Sequence, residues 1–408
     1  MRGLCRRLAV PSIAKIVKFI PNREADIYNN SMKPLPDVCV VGGGIIGLTS
    51  ALYLARAGLS VRVLERQQMG REASWAGAGI LPPGNAAHAA TPMDLLRART
   101  VTQFAIFAEH LKQLTTVDTG YVVSGGIEFL SASDGEIPEM WKQEQIRFDK
   151  WKDHELKKRE SRVLAPPGTT PYFLPDCAQV RNPWHLKALQ AACKKARVEL
   201  RTFSEAATWK RSDNALSLVD VKGEEHHAGN YLIATGAWAR DLLEPLGCTV
   251  PVAPVRGQIV LFKPIQQIVH RVLMFGKRYL VPRSDGRILV GSTEEPEAGF
   301  EKVTTPEGVK SLIDFAYEIV PELCLVEVEA TWAGLRPGSP DGMPYIGAVP
   351  GTDNVFAAVG HFRAGVQLSL GTAEMVRAMI LKTEPPIPLD AFRLDRTPHE
   401  NIRTAFRS

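Results

Sequence analysis

Apolar residues first fall into register at 37–41 (DVCVV), a short β-branched run that reads as a buried strand. Gly42, Gly43, Gly44, Ile45, Ile46 and Gly47 follow. Leu48, Ala51, Leu52, Leu54 and Ala55 then recur on a helical period that stops at Gly58. A second strand at 60–64 ends on Glu65, 23 residues after Gly42. Farther on, 92–114 carries Leu95, Leu96, Phe104, Phe107, Leu111 and Leu114 on one face of a long amphipathic helix. From 116 to 177 the pattern breaks into strand-like pieces and charged stretches. Within it 141–162, crowded with Lys, Arg, Glu and Asp, reads as an exposed helix with a solvated face.

The pattern then predicts a helix over 182–196, a strand over 216–219, and a buried strand meeting a second glycine turn over 231–238. From Val255 the period is again two. Residues 279–283 and 287–291 flank Asp285-Gly286, a strong hairpin signal. Residues 360–365 lead into a last helix bearing Val366, Leu370, Ala373, Val376 and Ile380. No fixed-period repeat occurs, and the only low-complexity tract is 385–388.

Composition changes this picture in a few places. With 408 residues, 45% of them hydrophobic, the chain is too long for one ordinary domain, and two are expected. The net charge of +5 is concentrated at the start, where Arg2, Arg6, Arg7, Lys15, Lys18 and Arg23 face only Glu24 and Asp26, so the remainder is near +1. A near-neutral body offers little to a nucleic-acid backbone, and no nucleic-acid partner is expected. Six scattered cysteines without a CxxC fit a reducing compartment, and the expected location is cytoplasmic. No HExxH occurs, the adjacent His226 and His227 read as solvated loop histidines, and no metal is expected. The uncharged 38–55 run is long enough to flag as a membrane span, but three consecutive glycines break it, so no stable membrane insertion is expected. Residues 1–35 read as an N-terminal extension, either disordered or the product of an upstream start codon ahead of Met32; a transit peptide or an interfacial helix is the alternative.

The glycine motif has specific chemistry. Gly42 permits a sharp turn, Gly44 lets backbone approach a pyrophosphate, and Gly47 lets helix and strand pack closely, while the helix N-terminus offers free N–H groups to phosphates. Glu65 can accept hydrogen bonds from a ribose and would repel a 2′-phosphate, which favours NAD or FAD over NADP. Arg336 stands between Leu335 and Pro337, and a desolvated arginine needs an anion: a substrate carboxylate or a protein acid. Tyr279 could donate to the same carboxylate or be an ordinary core aromatic.

Several blocks together resemble the FAD-dependent amine oxidases that include D-amino acid oxidase, sarcosine oxidase and the glycine oxidase of thiamine biosynthesis, the last most nearly. They are GREASWAGAGIL at 70–81, WAGLRP at 332–337, DGMPYIG at 341–347 and GHFRAG at 360–365. The resemblance implies an α/β fold: a doubly wound, Rossmann-like FAD-binding domain (36–115, 178–250 and 335–384) with an inserted β-rich substrate domain of α+β type (116–177 and 251–334), then a C-terminal tail (385–408). It implies noncovalent FAD held by Gly42, Gly44, Ile45, Ile46, Gly47, Glu65 and Arg66 around the first turn, and by Ser74, Ala76, Gly77, Gly79 and Val180 along the ring. Gly236, Trp238, His361, Phe362, Arg363, Ala364, Gly365, Val366 and Gln367 complete that set. For the catalytic side it implies Arg336 and Tyr279 on the substrate carboxylate and Arg363 as a second active-site arginine, or else one that fixes the loop; Glu294 departs from the pattern, standing where some relatives carry an apolar side chain, and could contact the substrate amine or face solvent. The implied reaction removes hydride from the α-carbon of glycine, sarcosine or a small D-amino acid, with O2 reduced to H2O2. Homo-oligomerisation is compatible with it. Two rivals stand: a D-amino acid dehydrogenase serving a membrane acceptor, and a noncatalytic FAD-bound interaction protein.

Overall fold

The computed structural model describes residues 35–212, 215–398 and 404–406; expectations about residues 1–34 lie outside the described residues. Two sheets organise the chain. The first has the strand order Tyr345–Ala348, Val355–Val359, Asn230–Ile233, Val38–Val41, Val61–Glu65, Glu199–Thr202, parallel throughout except at the antiparallel edge Tyr345–Ala348. All four residues of Val38–Val41 are buried, as a central parallel strand covered on both faces requires. On one face pack the helices Ile45–Arg56, Pro92–Thr115, Asn182–Lys195 and Gly365–Ile380. The opposite face carries the short helix Ala239–Leu243 and a three-stranded antiparallel meander spanning Ala206–Ser212, Ala215–Asp220 and Glu225–His226. The uncharged 38–55 run is thus a strand, a turn and a helix. No helix among the described residues is long and apolar enough to cross a membrane.

The second sheet has eight strands in the order Val328–Gly338, Ala253–Phe262, Ile288–Gly291, Arg278–Pro282, Val272–Phe275, Gly126–Ser131, Thr169–Leu174, Asp149–Lys150. Its strands alternate strictly. Val260, Leu280 and Val290 face the helix Pro306–Ile319, while Ile259, Tyr279, Val281 and Leu289 face the other way, into a separate cluster with Met274 and Trp332. The helix itself has an evident start signal in Thr305-Pro306, whose threonine side chain accepts from Gly308 N–H at 3.1 Å. The apolar period alone did not single it out. Asp285-Gly286 turns the expected hairpin, with Gly286 at φ +87°.

Two local expectations need correction. The charged stretch 141–162 is not one exposed helix but two short ones, Ile137–Gln143 and Asp153–Arg159, separated by the strand Asp149–Lys150. Trp141 and Trp151 are buried and anchor it, and the buried Glu160 pairs with Arg271 at 2.7 Å, so tryptophans and an internal ion pair override the charge pattern. His226 is not a solvated loop residue. It is buried, with Nε2 3.4 Å from Asp220 Oδ2. Asp220, Glu224 and His226 place potential ligand atoms within 4.8 Å of one another, but the two ring nitrogens face different carboxylates. Residues 385–398 pack against the rest of the described chain, burying Ile387, Phe392 and Leu394, and Arg396 bonds the Asp341 carboxylate.

Candidate functional site

One long cavity runs from the first turn of the parallel sheet to the apolar face of the eight-stranded sheet. At its nucleotide end Gly42 has φ +108°, and a Cβ there would lie 2.4 Å from Ala234 O. A Cβ on Gly47 would lie 1.9 Å from Gly42 O, so both positions demand glycine. Glu65 reaches back from the end of its strand and accepts from Gly43 N–H at 2.8 Å and Gln67 N–H at 3.0 Å. Arg66 pairs with Glu72 at 2.7 Å and lies 3.6 Å over the Trp238 ring, forming a cation–π wall.

Two helix N-termini open on this cavity. In Ile45–Arg56 the ladder begins with Leu48 N–H to Gly44 O, and Ser74 Oγ takes the Ile45 N–H at 2.9 Å. Gly365–Ile380 starts without a side-chain cap, and neither helix has an acid in its first turn. Both therefore present positive dipole ends to the same space. Around them Asn182 Oδ1, Thr235 Oγ1 and Gln367 Oε1 are buried without a partner. Buried polar atoms are rarely left so, and these three line a site built for a polar ligand. His361, buried against Thr372 Oγ1 at 3.0 Å, has its pKa pushed down to about 3 by desolvation and stays neutral.

Between the two ends the backbone 76–79 forms a side-chain-poor strip. Ala76 O accepts from Trp332 Nε1 at 3.1 Å and Ala78 O from Arg283 at 2.7 Å. Arg283 also donates to Gln179 Oε1 at 2.8 Å and Val180 O at 3.2 Å, so one buried guanidinium ties this strip to the hairpin. Its pKa is lowered to about 10 by burial, which leaves it charged at neutral pH.

At the far end, cross-strand register sets Trp332, Ile259, Gly291, Tyr279, Met274 and Glu128 in one row. Arg336 lies four residues along from Trp332 on the same face, and its guanidinium folds over Gly257, where a Cβ would lie 2.1 Å from Nη2. It donates to Ser292 Oγ at 2.6 Å and Thr293 O at 3.1 Å and hydrogen-bonds Tyr279. Burial lowers its pKa, and the adjacent Arg363 adds to the effect. No ion pair among the described residues involves Arg336.

The expected residues gather here with few exceptions. Gly47, Val180 and Ala364 stand behind the cavity wall: Gly47 packs on the turn, Val180 is buried with its carbonyl against Gly79, and Ala364 caps the last helix. Glu294 does not line the cavity either. Opposite charges hold it aside, since it bonds Lys277 and lies 3.3 Å from Arg363, whose other nitrogen donates to Lys277 O at 2.6 Å. Sequence reading missed Asn182, Thr235, Glu128 and Phe406, all on the wall. Asn182 alone had a local signal, as the polar opening of a predicted helix.

The model of the FAD-dependent oxidoreductase family known as DAO matches residues 37–379, which include both ends of the cavity. The chain belongs to that family. A DAO-family member is FAD-dependent, and the orphaned polar atoms, the two helix N-termini and the glycine cradle described above fit the cofactor. Among curated relatives, glycine oxidase of Pseudomonas aeruginosa is 36% identical over 356 residues, covering 86% of this chain and 96% of that one. The bifunctional protein ThiO/ThiG of Synechocystis is 32% identical across 90% of this chain and 54% of its own length. The crystal structure of glycine oxidase from Geobacillus kaustophilus superposes with a TM-score of 0.84 at 28% identity, covering 89% and 99% of the two chains.

Proposed function

We propose that this protein oxidises glycine or another small amino acid to the imine, reducing O2 to H2O2, and that the imine serves thiamine thiazole formation. The observation that carries this reading is Arg336: a desolvated cation on a cavity wall with hydroxyl and carbonyl partners but no ion pair among the described residues. Such a group is completed by a bidentate carboxylate. Bound FAD would supply the two-electron redox chemistry between the amine and O2. Arg336 fixes the carboxylate, and the Tyr279 hydroxyl beside it supplies a second donor, so the α-carbon is held at one place along the wall. Met274 and Ile259 exclude water around it. Arg363 adds positive potential and is itself oriented by Glu294 and Lys277, which makes Glu294 a positioning residue. In this reading Ala76, Gly77 and Gly79 pass close to the ring system, and 36–115, 178–250 and 335–384 form the cofactor body, although the boundary near 334 falls inside the continuous strand Val328–Gly338.

The test is anaerobic mixing of the yellow holoprotein with glycine, sarcosine, D-alanine and ethylamine. Bleaching by the amino acids but not by ethylamine, followed by peroxide formation on admitting air, is the expected result. Bleaching without oxygen consumption on aeration would favour the dehydrogenase instead, and no bleaching by any amino acid would remove the reading.

A further inference from the structure

Beside the cavity lies a cluster of buried charges that the proposed chemistry does not use. Asp94, Arg97 and Glu144 are each no more than 3% exposed, and Arg97 pairs with Glu144 at 2.7 Å and with Asp94 at 3.0 Å. Burying three charges is costly unless they are paired and hydrogen-bonded, as these are. Glu144 also accepts from Asn85 N–H at 3.0 Å, while Asp94 and Arg97 face residues 405 and 406. Asp94 Oδ1 accepts from Ala405 N–H at 3.1 Å, and Trp141 Nε1 donates to Ala405 O at 2.6 Å, so both backbone polar groups of Ala405 are taken by buried side chains. Phe406 then stacks on Trp141 with centroids 5.5 Å apart, and the Arg97 guanidinium lies 4.8 Å from its ring centre. The Phe406 ring lines the cavity and packs in the apolar cluster that contains Ile259, Met274 and Tyr279.

We infer that Phe406 is a size-limiting wall of the substrate cavity, and that the Asp94–Arg97–Trp141 slot keeps it there by gripping Ala405. This rests on the reading of the cavity as an amino-acid site. Two variants separate wall from grip. Phe406→Ala removes the ring, whereas Ala405→Pro removes the N–H that Asp94 accepts and leaves the ring chemically intact. Both are expected to raise kcat/KM for D-leucine relative to glycine by about tenfold or more, the discrimination that a few methylenes carry; Phe406→Leu should stay near wild type. A second readout needs no turnover: in thermal-shift titrations, benzoate should gain affinity relative to acetate in both variants. Emission from Trp141 should also change in Ala405→Pro.

Unchanged ratios in both variants, with wild-type flavin content and melting temperature, overturn the inference. A changed ratio in Phe406→Ala alone overturns the grip and leaves the wall. If the wild type oxidises no amino acid, the functional reading has failed, and the benzoate-to-acetate comparison still decides whether Phe406 limits the cavity. Should Phe406→Ala fold poorly, Phe406→Val replaces it in the same measurements.

Discussion

Arg336 shows how little of a side chain's role is written beside it in sequence. Its apolar neighbours Leu335 and Pro337 announce desolvation, but which anion it meets depends on strands far away. Gly257, on the adjacent strand, clears the space in which the guanidinium lies, and Ser292 and Thr293 take two of its donors without cancelling its charge. Arg336→Leu should therefore keep the flavin spectrum while lowering kcat/KM for glycine. Losing one partner of a buried charge pair costs about 2–5 kcal/mol, which is roughly thirtyfold to several-thousandfold at about 1.4 kcal/mol per decade. Arg336→Lys should recover only part, because an ammonium cannot reproduce the planar fork. Oxygen-uptake kinetics check both, and near-normal kcat/KM in the leucine variant would reassign the clamp. Glu294 illustrates the opposite case: an acid that sequence placed near the substrate is drawn aside by Lys277 and Arg363, two cations brought to it by the fold.

Among the elements, the first strand, turn and helix were legible because each is fixed by neighbours in sequence. The turn allows a controlled comparison. Gly42 and Gly58 both have positive φ, at +108° and +93°, but a Cβ on Gly42 meets Ala234 O at 2.4 Å whereas nothing lies within 4 Å of one on Gly58. Gly58→Ala should lose about 1–2 kcal/mol of stability to backbone strain and retain FAD, while Gly42→Ala should lose more stability and most of its FAD. Flavin released on denaturation, measured per mole of each purified protein, gives the comparison directly. The charged 141–162 stretch was not legible, since burial of Trp141 depends on Tyr172 and Phe406, which lie outside it.

Helix Asn182–Lys195 adds a pH dependence. It buries His185 between Phe104 and Phe107 without a hydrogen-bond partner, and burial pushes the pKa down to about 3. The unfolded chain takes up a proton near pH 6.5 that the native state refuses until about pH 3, so this histidine makes stability fall as pH drops through that window. The contribution is on the order of 1 kcal/mol per pH unit. His185→Leu should accordingly show a shallower decline in denaturant midpoint between pH 6 and pH 4 than wild type; parallel curves would exclude a neutral buried imidazole.

At the scale of the molecule, the two sheets share one cavity, and Arg283 ties the hairpin of the second to the strip 76–79 that lines it. Its partners Ala78, Gln179 and Val180 stand more than 100 positions away in the chain, which is why no pattern around Arg283 foretold it. Removing it would leave two buried carbonyls and an amide oxygen without that donor, a loss of about 1–3 kcal/mol for each group left unsatisfied. Arg283→Leu should lower the melting temperature and weaken FAD binding together, because the strip 76–79 loses its support. Equilibrium dialysis of FAD alongside calorimetry tests the coupling: reduced stability at unchanged FAD affinity would confine Arg283 to holding the hairpin.

The parallel sheet also has a history in time. Val38–Val41 emerges early, yet its neighbour Asn230–Ile233 and the next strand, Val355–Val359, are synthesised much later. Pairings so distant in the chain close slowly. Until they close, the open edge of the first strand is exposed to other chains. A ligand that binds only the finished arrangement pulls that slow equilibrium forward by mass action. Cellular yield of this protein should thus follow the supply of flavin, falling in cells starved of it even when the message is abundant.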